Sequence, residues 1–77
     1  MKKRKSNRKE EIYKKYYYVS GLARKGETEY NVGRTICFNS NEDVTFGNVK
    51  DKFISKLNED EFTFRFMWGW SLIEENN

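Results

Sequence analysis

The stretch Glu61-Phe62-Thr63-Phe64-Arg65-Phe66-Met67-Trp68-Gly69-Trp70-Ser71-Leu72-Ile73 decides how the rest of the chain is read. Its even positions hold Phe62, Phe64, Phe66, Trp68, Trp70 and Leu72, and its odd positions hold Thr63, Arg65, Met67, Gly69, Ser71 and Ile73. A repeat of two puts the even set on one side of an extended strand, which no helix would do. The reading is therefore a β-strand with one wholly apolar face.

Immediately before it, Glu59-Asp60-Glu61 forms a polar turn. Upstream of that turn, Phe46, Val49, Phe53, Ile54 and Leu57 recur at helical spacing as one apolar stripe, with Lys50, Asp51, Lys52, Ser55 and Lys56 on the solvent side. Thr45 is the expected N-cap and Asn58 the residue expected just past the helix end. Gly47 in the first turn costs about 1 kcal/mol relative to Ala, for no visible reason.

Further back, Lys15 to Ala23 carries Tyr16, Tyr17, Tyr18 and Val19, strand formers on both faces, as suits a central strand. Arg24-Lys25-Gly26-Glu27 reads as a turn, with Gly26 free to take a positive φ. Thr28 to Asn39 returns as a second strand, its core face being Tyr30, Val32, Ile36 and Phe38 together with Arg34. Asn39 to Asp43 is a polar turn cluster. The order is β-β-α-β, a single small α+β domain. A strand-helix-strand crossover leaves the last strand parallel to the second, so the first fits between them in sheet order 2-1-3, one helix lying on one face.

A charge split separates this domain from its amino terminus. Residues 1–15 hold eight basic residues against two acidic, net +6, and the remainder holds seven against ten, net −3. Residues 1–9 are too polar and too like-charged to pack and read as a disordered basic arm, residues 10–77 as the domain. Ser6 or Asn7 is placed to cap a short helical turn from Arg8 to Lys15, with Ile12 and Tyr16 as its apolar line; the same residues are equally compatible with a lead into the first strand.

At 77 residues one core is only marginally sufficient, but an aromatic content of 17 % adds large apolar area at low rotamer cost. The lone Cys37 has no internal disulfide partner, which fits a reducing cytoplasm. No apolar run of leader length follows the basic terminus, and none is long enough to span a bilayer, so a cytoplasmic protein without membrane association is expected.

Enzymatic readings find little support. There is no His, and a lone Cys without His makes no nucleophile pair. The carboxylates lack metal-site spacing, and the five glycines form no phosphate-binding loop. No cofactor and no metal is expected.

Two binding readings remain. A helix from Phe46 to Leu57 spans roughly 18 Å, whereas the strand from Glu61 to Leu72 spans roughly 40 Å. Phe62, Phe64 and Phe66 are thus expected beneath the helix, with Trp68, Trp70 and Leu72 running past its amino-terminal end. Phe66, Trp68, Trp70 and Leu72 are then the candidate self-association or partner-binding residues, and a long apolar edge strand invites pairing with another chain. The plain alternative is that these aromatics fill an ordinary core, helped by the amino-terminal segment. The second reading is a nucleic-acid or nucleotide binder. In it Lys2, Lys3, Arg4, Lys5, Arg8 and Lys9 neutralise phosphates, and Arg65, Thr63, Thr35 and Arg34 join the first-strand tyrosines in a stacking platform. Its plain alternatives are a solubilising tail and the ordinary solvated side of a sheet.

The arrangement Tyr16-Tyr17-Tyr18-Val19-Ser20-Gly21, a second strand, then Thr45-Phe46-Gly47-Asn48-Val49-Lys50-Asp51-Lys52-Phe53-Ile54-Ser55-Lys56-Leu57-Asn58 and the aromatic strand, with Lys/Asn-rich usage and no proline, resembles the small uncharacterised proteins of Gram-positive bacteria and their phages. The resemblance covers roughly Tyr16 to Ile73. It implies a phage-encoded, non-enzymatic module that binds and modulates a host macromolecule, and a homo-oligomer is the expected state.

Overall fold

The computed structural model describes residues 13–76, residues 75 and 76 by their backbone alone. The basic arm of residues 1–9 and most of the helical turn expected from Arg8 to Lys15 lie outside the described residues; Lys14 and Lys15 belong to a strand. The elements are β1 (Lys14–Lys25), β2 (Thr28–Asn39), α1 (Phe46–Glu59) and β3 (Thr63–Asn76). They form one three-stranded sheet in the order β2-β1-β3, with β1 antiparallel to both neighbours. The expected α+β architecture and strand order are those observed.

The β1–β2 hairpin is regular from Lys14↔Asn39 to Lys25↔Thr28. Strand pairing thus runs through Arg24 and Lys25, which the sequence suggested as turn residues, and leaves only Gly26 and Glu27 in the loop. Gly26 has φ +65°. A positive φ at the first of two loop residues is the mark of the turns whose twist matches that of the flanking strands, and Gly takes it without a Cβ clash.

Helix α1 begins where Thr45 Oγ1 accepts from the Asn48 amide at 3.2 Å, the N-cap bond that satisfies one otherwise orphan donor. It ends later than Asn58. The Phe62 amide donates to the Leu57 carbonyl at 2.9 Å and the Glu61 amide to Asn58 at 3.0 Å, with Glu61 itself at φ 67°. This is a Schellman closure with a glutamate in the position that usually takes Gly. Val49, Phe53 and Leu57 are fully buried against the sheet, each contributing roughly 1.5–3 kcal/mol by removal from water. They pack on Val19 and Ala23 of β1, Ile36 and Phe38 of β2, and Met67 of β3.

Strand β3 departs from the simple alternation. Its pairing with β1 skips Arg65, Trp68 and Ile73, giving irregularities opposite Leu22/Ala23, Ser20/Gly21 and Tyr16/Tyr17. An extra residue in one strand reverses the phase of everything after it. The residues opposite the helix-facing positions Ala23, Gly21, Val19 and Tyr17 are therefore Phe64, Met67, Trp70 and Leu72. Met67, expected on the far side, is core at 7 % exposure. Phe66 and Trp68, expected in one apolar row with Phe62 and Phe64, face away from the helix and are 52 % and 57 % exposed.

Gly21 explains why the strand can deform here. A Cβ on Gly21 would collide with the Phe66 carbonyl oxygen and stand 2.8 Å from a Phe53 ring carbon. The absent side chain lets the β3 backbone and the helix close in together, the usual meaning of Gly inside a strand.

Candidate interaction surface

The two sides of the sheet carry different chemistry because one is roofed by α1 and the other is not. On the roofed side Phe62 stands edge-on to Tyr30 at 5.8 Å between centroids, and Phe64 edge-on to Phe53 at 6.0 Å. Lys25 Nζ lies 4.9 Å from the Phe62 ring centre and Lys50 Nζ 5.5 Å from that of Phe64. Trp70 is half-buried and meets Phe46, in the first turn of α1, at 6.1 Å. Leu72 lies at the end of this row and is 48 % exposed. Of the residues expected past the amino-terminal end of the helix, Trp70 touches that end, Leu72 is left open, and Trp68 is on the other face.

The helix-free side can be followed row by row. At the hairpin end Glu29 lies between two arginines, Arg65 Nε at 3.4 Å and Arg24 Nη2 at 3.7 Å. Exposed pairs of this kind contribute at most about 1 kcal/mol. Next come Leu22 of β1 and the Phe66–Trp68 pair of β3, whose rings lie 4.8 Å apart at 60°. The following row is small: Gly33, Ser20 and Gly69. The Tyr18 ring, 46 % exposed, leans across Gly33, where a Cβ would meet its hydroxyl. Space above Gly69 is open, with no atom within 4 Å of a Cβ built there. Beyond lie Thr35 and Ser71, then Tyr16, Cys37 and Glu74, with the bulged Ile73 beside them at 56 % exposure. Phe66, Trp68, Tyr18 and Ile73 are thus each about half exposed on this side.

Arg34 takes no part in it. It sits opposite Val19 on the helix side, donating through Nε and Nη2 to Asp60 Oδ2 at 3.0 and 2.8 Å and through Nη1 to the Gly33 carbonyl at 2.7 Å. Its place in a polar sheet platform is corrected accordingly: it ties the helix C-terminus to β2. Of the suggested platform, Thr35, Thr63, Arg65, Tyr16 and Tyr18 do share the helix-free side, around an apolar centre. Lys2, Lys3, Arg4, Lys5, Arg8 and Lys9 lie outside the described residues.

The sequence carried a signal for the exposed pair that the alternation alone overrode. Gly21 in the central strand and Gly69 between the tryptophans are both interior strand glycines, which point to bulges and hence to a change of face.

A groove of 380 Å³ runs between α1 and β2, lined by Ile36, Cys37, Asp51, Lys52, Ser55, Lys56 and Glu59. Its charged lining is balanced, Asp51 and Glu59 against Lys52 and Lys56. Among the described residues no group of three or more His, Cys, Asp or Glu side chains is placed to hold a metal ion, and no helix is long and apolar enough to cross a membrane. Comparison with protein-family models, with curated proteins and with solved structures finds no match.

Proposed function

We propose that this protein is a non-enzymatic interaction module, of the kind a phage encodes to bind and modulate a host macromolecule, and that it self-associates through its aromatic third strand. One observation carries the reading: Phe66 and Trp68 of β3 are half-exposed on the uncovered face of the sheet, with Tyr18 and Ile73 exposed further along the same face. With each about half exposed, such side chains forgo roughly half of the 1.5–3 kcal/mol that full burial of a large apolar group contributes, which a partner recovers.

The test is the native mass and tryptophan emission of the full chain at low and high salt, with and without bulk nucleic acid. A dimer or larger species with blue-shifted emission, indifferent to nucleic acid, supports the proposal. A monomer with solvent-exposed emission that nucleic acid leaves unchanged counts against it.

A nucleic-acid or nucleotide binder is the second reading, favoured by Arg24 and Arg65 flanking the stacking surfaces of Phe66, Trp68 and Tyr18. Glu29 between those arginines weakens the local positive field. A monomer whose emission shifts on adding nucleic acid, the shift vanishing at high salt, makes this the function instead.

A further inference from the structure

Resting on the self-association reading and giving it a geometry, we infer that two copies pack helix-free face against helix-free face, as a helix-sheet-sheet-helix dimer, and do not join edge to edge.

Both edges argue against strand addition. Three bulged residues interrupt β3, and bulges bend and twist an edge away from flat pairing. Along β2 the flank of α1 sets Asp51, Lys52, Lys56 and Glu59 around the groove beside the strand, so an added strand would desolvate charge.

The face itself fits a second copy. Strands of 12 residues are about 40 Å long at 3.3 Å per residue, and three of them about 14 Å wide at 4.8 Å each. Covering that area on both partners removes on the order of 1,100 Å² from solvent, just above the size a specific interface needs. Charge bears on the occupant. Lys14, Arg24 and Arg65 are offset on this face by Glu29 and Glu74, so it is nearly neutral and ill-suited to a polyanion. The bare space above Gly69 is where the facing sheet comes closest.

Sedimentation of the full chain over a range of concentrations tests this, comparing the native protein with Trp68→Lys and Gly69→Arg. Trp68→Lys and Gly69→Arg are expected to weaken the dimer at least about thirtyfold, as removal of a central interface anchor does. Circular dichroism establishes that each variant is folded; should Gly69→Arg fail to fold, Trp68→Lys carries the test from a site already 57 % exposed. A dimer whose dissociation constant is unmoved by Trp68→Lys overturns the face-to-face geometry and leaves self-association standing. A native protein that is monomeric throughout, whether or not it binds nucleic acid, overturns both.

Discussion

The two faces of this sheet use the same residue types to opposite ends. Between the helix and the sheet, Val19, Ile36, Phe38, Val49, Phe53 and Leu57 are almost wholly buried, and lysines lie over the rings of Phe62, Phe64 and Phe38. On the other side, barely one strand thickness away, Phe66 and Trp68 pack on each other and Tyr18 leans over Gly33, all three about half exposed. The difference lies in what is stacked above. One 14-residue helix roofs one side of a sheet whose strands are 12 to 14 residues long, and aromatic content as such says nothing about burial.

Removing a ring from each face breaks the comparison most directly. Phe53→Ala empties a fully buried site between Gly21 and Phe64 and is expected to cost about 3–5 kcal/mol. Phe66→Ala is expected to cost under about 1 kcal/mol for the isolated chain, losing little more than the contact with Trp68. Urea unfolding of both variants under dimer-dissociating conditions checks the pair. Near-equal losses would mean that the helix-free face is as well packed as the roofed one.

A methyl group added to each face is the next probe. Gly21→Ala drives a Cβ into the Phe66 carbonyl and the Phe53 ring and is expected to cost about 3 kcal/mol through overpacking. Gly69→Ala meets open space and is expected to stay within about 0.5 kcal/mol of the native protein. Thermal unfolding at low protein concentration separates them.

Smaller effects sharpen the account of how the roof is attached. Arg34→Ala releases Asp60 at the helix end. With Asp60 half-exposed, the expected loss is about 0.5–1 kcal/mol, falling as salt rises. Glu61→Gly places a residue free of the Cβ penalty at φ 67° and is expected to stabilise the protein by about 0.5–1 kcal/mol in the same unfolding assay.

Much of this architecture is legible in the chain. The Thr45 cap, the Val49–Phe53–Leu57 stripe, the Gly26 turn and the doubly decorated Tyr16–Val19 segment each state a local preference, and together they leave the order 2-1-3 as the simplest arrangement. The candidate surface was legible only in part. Trp68 and Phe66 stand out as candidates by their bulk, yet the alternation from Phe62 to Leu72 assigns them to the wrong side of the sheet.

Local sequence thus determined which segments are strands and which is helix, because backbone preference, capping and periodicity act within a few residues. Face assignment in β3 was decided by tertiary structure. The β3 backbone and the Phe53 ring converge on the vacant side chain of Gly21, three residues of β3 bulge out of the ladder, and each bulge reverses which side its successors face. That collision is set between residues more than thirty positions apart in the chain, so no local pattern in β3 records it. It buries Met67 and turns Phe66 and Trp68 outward, onto the open surface that the proposed function uses.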